Sequence, residues 1–173
     1  ISYIKAISDG AEGLVIGWLD ARISNLYLDG FVQHTDASGN PLLTANGISV
    51  SGSSTSLQLD DIQILYRNNK IYAGYNNTSN LYLQTIDGAG TIGTPLIIPF
   101  FFSTTTGFQN INMAWSDDNV LLTYDENAFP NDRFLYVMSD TSLNPVHGTF
   151  IATANSTKTR GTLTSCINHQ NVQ

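Results

Sequence analysis

The chain has 173 residues, enough for one domain with a sizeable core. Charged residues make up 12% of it, about half the usual share of roughly 25%, so its solubility rests on Ser, Thr, Asn and Gly more than on ion pairs. Seven basic residues stand against fourteen acidic ones, for a net charge of −7 with no Lys/Arg cluster, which excludes nucleic acid and anionic membrane as partners that need basic patches.

Residues 1–10 read as a first strand closed by the turn Ser8-Asp9-Gly10. Residues 13–19 form a nearly continuous apolar run, the pattern of a strand buried on both faces. An aromatic-led strand follows from Phe31 to the turn at Asp36, and Pro41 opens the next. Residues 45–60 are rich in Ser and Gly, and Ile48, Val50, Leu57 and Leu59 alternate as a strand would. They read as the end of one unit and the link to the next, with Asp60-Asp61 closing the link. In residues 62–107 the strand from Pro95 to Phe102 carries Pro99, which cannot donate to a ladder and marks an edge or a bulge. Three consecutive aromatics on an edge, Phe100, Phe101 and Phe102, are an aggregation hazard unless covered. They are therefore the candidate interface with the next unit or with a partner chain. Residues 110–154 form a third unit, and Asp125 to Arg133 reads as its longest polar loop. Residues 156–173 are a polar tail that holds at most one more strand.

Landmarks recur along this path. Trp18, Tyr75 and Tyr124 end alternating strands; Phe31, Tyr82 and Tyr136 lead strands into turns at Asp36, Asp87 and Asp140; Pro41, Pro95 and Pro145 open the next strand. Each unit reads as four short antiparallel strands in about 50 residues, the content of a propeller blade. The first unit carries Trp18-x-Asp20-x-Arg22, then Phe31, Gln33, Asp36, Gly39 and Pro41. This pattern resembles the repeat of bacterial secreted-type β-propellers. The second unit keeps Tyr75, Tyr82, Gln84, Asp87, Gly90 and Pro95; the third keeps Tyr124, Tyr136, Asp140 and Pro145, with Met138 for the Gln and no Gly before the Pro. The resemblance implies a fold and no shared catalytic residues.

The expected fold is all-β: three antiparallel four-stranded blade-like units at about residues 1–54, 55–107 and 108–155, a β-propeller segment, with a β-sandwich as the alternative. Helix content is expected near zero. Propellers close with about four to eight blades, so three units imply a piece of a longer ring, an assembly of copies, or an open stack.

Sites of chemistry are few. His34, His147 and His169 lie in no nucleophile elbow, and no Gly-x-Ser-x-Gly occurs. Cys166 with His169 offers two zinc ligands where four are needed. As the lone cysteine, Cys166 rules out an internal disulfide. Asp117, Asp118, Asp125, Glu126, Asn127 and Asp132 supply hard oxygens of the kind calcium takes, without an EF-hand spacing. The sialidase-type Ser-x-Asp-x-Gly-x-x-Trp box is absent. Trp18 and Trp115, placed at matched strand ends, are candidate sugar-stacking platforms or inter-unit core. Sequons occur at Asn76, Asn77 and Asn155.

No basic and apolar leader precedes the first strand, so one has been removed or the sequence is a segment of something longer. The longest apolar run, residues 95–102, is far short of the roughly 20 residues of a membrane helix. The reading that results is a non-enzymatic structural or binding module of an extracellular or cell-surface assembly, acting through protein association, with no catalytic, cofactor or metal residue assigned. The alternative is a carbohydrate-binding, lectin-like propeller.

Overall fold

The computed structural model describes residues 1–23, 26–52, 58–77, 79–100, 105–128 and 133–153. Twelve strands make three four-stranded antiparallel sheets, each a meander in chain order. The first holds β1 (Ser2–Ser8), β2 (Leu14–Asp20), β3 (Asp29–Thr35) and β4 (Ile48–Ser49). The second holds β5 (Asp61–Arg67), β6 (Lys70–Asn76), β7 (Leu81–Asp87) and β8 (Leu96–Ile98). The third holds β9 (Thr105–Ser116), β10 (Asn119–Ala128), β11 (Arg133–Ser139) and β12 (Pro145–Thr153). No helix occurs among the described residues.

The core lies between sheets. Alternation along a strand sends neighbours to opposite faces, so Val15, Leu19 and Val32 of the first sheet meet Ile62, Ile64, Ile71, Ala73 and Tyr75 of the second. The second sheet's other face gives Tyr72, Leu81 and Leu83 to two clusters shared with Ile111, Trp115, Val120, Leu122, Tyr124 and Leu135 of the third. Each fully buried aliphatic side chain contributes about 1.5–3 kcal/mol. Gly17 and Gly74 allow close approach at both interfaces: a Cβ on Gly17 would stand 2.8 Å from Ile64, and one on Gly74 would stand 2.5 Å from Met113. The two-sheet sandwich is not what forms, because the middle sheet is packed on both faces. Three successive meanders stacked this way are compatible with consecutive propeller blades.

The pairing registers set the units against each other. Trp18 lies opposite Phe31, Tyr75 opposite Tyr82, and Tyr124 opposite Leu135. In the third unit the strand-leading position is therefore Leu135, one residue before Tyr136, and Val137 takes the place of Gln33 and Gln84. Those glutamines fasten the outer connection. Gln33 Oε1 accepts from the amide of Leu43 at 3.1 Å while its Nε2 donates to the Thr44 carbonyl, and Gln84 Nε2 donates to the Gly93 carbonyl.

The turn after the third strand is the same structure three times. Asp36 Oδ1 accepts from the amides of Ser38 and Asn40, Asp87 Oδ1 from Ala89 and Thr91, and Asp140 Oδ1 from Ser142 and Asn144. The fourth turn residue has φ of +80° at Gly39, +85° at Gly90 and +66° at Leu143. A leucine thus holds the left-handed position that favours glycine. Its side chain is buried among Tyr72, Leu83, Trp115 and Val120.

Two stretches differ from expectation. Asp125 and Glu126 are not loop residues: β10 runs to Ala128, and both are buried within it. Among the described residues of the link ending at Asp60, Ile48–Ser49 form the two-residue β4, and Asp61 already opens β5. The tail at 156–173, with Cys166 and His169, lies outside the described residues.

Candidate functional site

The first strands of the three sheets, β1, β5 and β9, lie side by side, and their leading halves surround one cavity of about 360 Å3, within the size range of small-ligand sites. The register explains its lining. Lys5 pairs with Gly17, Gln63 with Gly74 and Asn112 with Thr123. Each of those partners immediately precedes the landmark aromatic of its unit, so Lys5, Gln63 and Asn112 hold one structural position in three sheets. All three line the cavity, together with Tyr3, Asp60, Asp61, Asn76 and Asn110.

Two backbone irregularities converge there. Pairing slips between Ser2 and Lys5 on β1, and again on β9 around Asn110. Tyr3 and Asn110 have φ of +52° and +50°, a region that residues other than glycine seldom occupy and that concentrates at ligand sites. Such bulges turn a side chain out of the pleat's alternation, and Tyr3 is left 58% exposed at the cavity.

The electrostatics separate this end of the sheets from the other. Partial desolvation pushes the carboxyl of Asp60, which stays exposed, above the usual value, and deeper burial does the same to Asp61. For Asp61 the rise is opposed by Gln63 Nε2, which donates to both of its oxygens at 3.2 and 3.3 Å, by the Ile62 amide at 2.7 Å, and by the charge of Lys5. At the far end, Asp36 is held below the usual range by the Asn40 side chain and neighbouring amides, Asp87 by the Thr91 amide first, and Asp140 by the Asn144 side chain first. Asp9 is lowered first by His34, whose Nε2 lies 2.9 Å from Asp9 Oδ2. That contact fastens the first turn to β3.

The residues singled out in the sequence fall elsewhere. Trp18 lies on the first sheet's face away from the second, stacked on Phe31 at 6.0 Å with the Arg22 guanidinium 5.6 Å from its ring. Arg22 donates to Asp20 Oδ2 from Nε and Nη2 at 2.9 and 2.6 Å and holds that carboxyl low. The Trp-x-Asp-x-Arg motif is therefore a local clasp. Trp115 is buried on β9, edge-on to Tyr72 at 5.1 Å under the Arg67 guanidinium at 4.1 Å. The two tryptophans do not hold matched positions: Trp18 is on the second strand of its unit and Trp115 on the first. Phe100 stacks on Phe108 of β9 at 4.6 Å; Phe101 and Phe102 lie outside the described residues. Asp117-Asp118 and Asp125-Glu126 sit at opposite ends of β10, which divides the calcium candidates, and Asp132 is outside the described residues. Among the described residues no three His, Cys, Asp or Glu side chains gather as a metal would require. Of the sequons, Asn76 is 1% exposed.

Two further depressions, of about 340 and 360 Å3, adjoin each other between β8 and the outer strands of the third sheet. They are lined by Ile98, Pro99, Phe100, Val137 and Gly148. They are apolar and hold no carboxylate.

No protein-family model and no curated protein matches the chain. Among solved structures, an endo-1,4-β-xylanase from Bacteroides thetaiotaomicron shares the fold with a TM-score of 0.53 at 8% identity, covering 86% of this chain and 52% of that one. This chain thus spans about half the length of that protein. The likeness concerns fold alone. It nonetheless overturns the expectation that the chain is non-enzymatic, since that expectation rested on missing motifs, and this fold is one on which an endo-1,4-β-xylanase is built.

Proposed function

We propose that the chain binds carbohydrate in the cavity formed by β1, β5 and β9, as part of a propeller-like, glycosidase-type domain. The observation that carries this reading is the repeated placement of hydrogen-bonding side chains, Lys5, Gln63 and Asn112, at one register position of three neighbouring strands. Amides, carboxylates and an exposed tyrosine at a concave surface match the hydroxyls and the flat apolar faces of a sugar. The carboxylates of Asp60 and Asp61 are the groups through which such a domain could act on its glycan. Calorimetric titration with neutral, amino and acidic oligosaccharides tests the reading. At least one class binds, and Gln63→Ala weakens it roughly tenfold, the worth of a hydrogen bond to a buried site. Failure of every class to bind defeats the reading.

A second reading is association of two copies through the apolar depressions between β8 and β12. Ile97 and Val146 flank them and are 51% and 56% exposed, and contiguous apolar surface of this kind marks contact sites. Sedimentation of the wild type and of Val146→Lys decides it: a dimer that the lysine disrupts supports association, and a monomeric wild type removes it.

A further inference from the structure

One apolar face of the first sheet is open, and the register shows what covers its counterparts. Leu14 holds the position of Ile71 and Val120 on the second strand of each sheet, Ile16 that of Ala73 and Leu122, and Ala6 that of Ile64 and Met113 on the first strand. Ile64, Ile71 and Ala73 are buried against the first sheet, and Val120 and Leu122 against the second. Each of these sets therefore packs on the sheet before it. In the first sheet the same positions face water: Leu14 is 45% exposed, Ala6 is exposed and Ile16 is half-buried. Alternation with Val15, Gly17 and Leu19 turns Leu14 and Ile16 away from the second sheet. The exposed Ile4 extends the strip along β1.

Gly17 and Gly74 lie on the sheets that do the covering and leave room for Ile64 and Met113 of the next sheet. The third sheet has Thr123 at that position. Its side chain fills the space such an insertion takes, so the third sheet of another copy is not shaped to cover the strip. The first sheet can cover itself. The open residues Ile4, Ala6, Ser8, Leu14 and Ile16 include no charge, and Asp20 and Arg22 farther along are paired with each other. Two copies of a protein with net charge −7 repel one another, and a charge-free apolar face is where that repulsion is weakest and apolar burial gains most. We propose that the chain forms a twofold dimer through this strip, with the first sheet of one copy face to face with the first sheet of the other. Such a contact is isologous, the commonest form of self-association. A twofold axis at Ile16, with the strands antiparallel, sets Leu14 of each copy toward Trp18 of the other. The contact is independent of the carbohydrate reading, and it uses a face other than the depressions between β8 and β12.

Sedimentation equilibrium of the full chain, across micromolar to sub-millimolar concentrations, tests this with the wild type, Leu14→Lys, Ala6→Lys and Val146→Lys. Each variant adds one positive charge, so overall charge changes equally in all three. The wild type dimerises. Leu14→Lys raises the dissociation constant about tenfold or more, because in a twofold contact each lysine enters twice. Ala6→Lys, at an exposed position outside the core clusters, does the same without disturbing the fold. Val146→Lys leaves the dimer as in the wild type. A wild type that stays monomeric overturns the inference. So does a dimer that both Leu14→Lys and Ala6→Lys leave intact, or one that Val146→Lys alone disrupts.

Discussion

The two ends of the three sheets are made from the same strands and treat their carboxylates in opposite ways. At the turn end, Asp36, Asp87 and Asp140 accept backbone amides two and four residues ahead and are held low. At the cavity end, the exposed Asp60 is pushed up by partial desolvation and Asp61 by burial. A carboxylate saturated by local amides serves its turn and has little capacity left for a ligand. One that the fold disfavours in its charged form is open to a partner from outside. The difference sets the cavity end apart where neither motif nor aromatic landmark did.

The sharpest way to break the turn-end half of this contrast is at its irregular member. Leu143 holds the conformation that Gly39 and Gly90 hold in the other units, and it also fills the cluster around Trp115. Leu143→Gly removes about 1–2 kcal/mol of left-handed strain but also a buried leucine, worth about 2–5 kcal/mol even when cut only to alanine. The expected net loss is about 2 kcal/mol in chemical unfolding. Gly39→Ala isolates the backbone contribution, because an added Cβ there meets nothing within 4 Å; it should cost about 1 kcal/mol. An unchanged or raised stability in Leu143→Gly would mean that the three turns are not one structure.

The same turn shows how much of the fold was legible in sequence. Asp36, Asp87 and Asp140 stood out because a tight turn demands a short acceptor side chain at a fixed place. Gln33 and Gln84 recurred because one amide can fasten two strands at once. The third unit was harder to read, since Leu143 trades backbone comfort for burial and erases the glycine, and Tyr136 imitates a landmark that Leu135 occupies. Asp125 and Glu126 looked like loop residues because acids are seldom buried, and only pairing with β9 and β11 on either side shows them inside a strand. The cavity was the least legible part. Lys5, Gln63 and Asn112 are three different residue types with no common flanking motif, and their equivalence exists only in the strand register. Asp60-Asp61 follows a Ser-rich stretch, so its neighbours disguised it as a linker end.

The smallest expected effects carry the most direct test of the contrast, because they differ in sign. Asp36→Asn and Asp60→Asn each remove one charge with almost no change of shape. Asp36 has a folded-state pKa below its unfolded one, so its charge stabilises the fold above the unfolded value near 3.8, and that contribution disappears as pH falls through the lower, folded value. Asp36→Asn should therefore unfold at a lower temperature than wild type at pH 7, and the gap should narrow toward pH 2. Asp60 is shifted the other way: its charge opposes folding above the raised pKa and has no effect once both states are protonated. Asp60→Asn should match or slightly exceed wild type at pH 7, and any advantage should vanish below the unfolded value. Thermal unfolding midpoints between pH 2 and 8 report both curves. If Asp60→Asn instead loses stability at pH 7 as Asp36→Asn does, Asp60 is one more structural acid, and the contrast between the two ends of the sheets is lost.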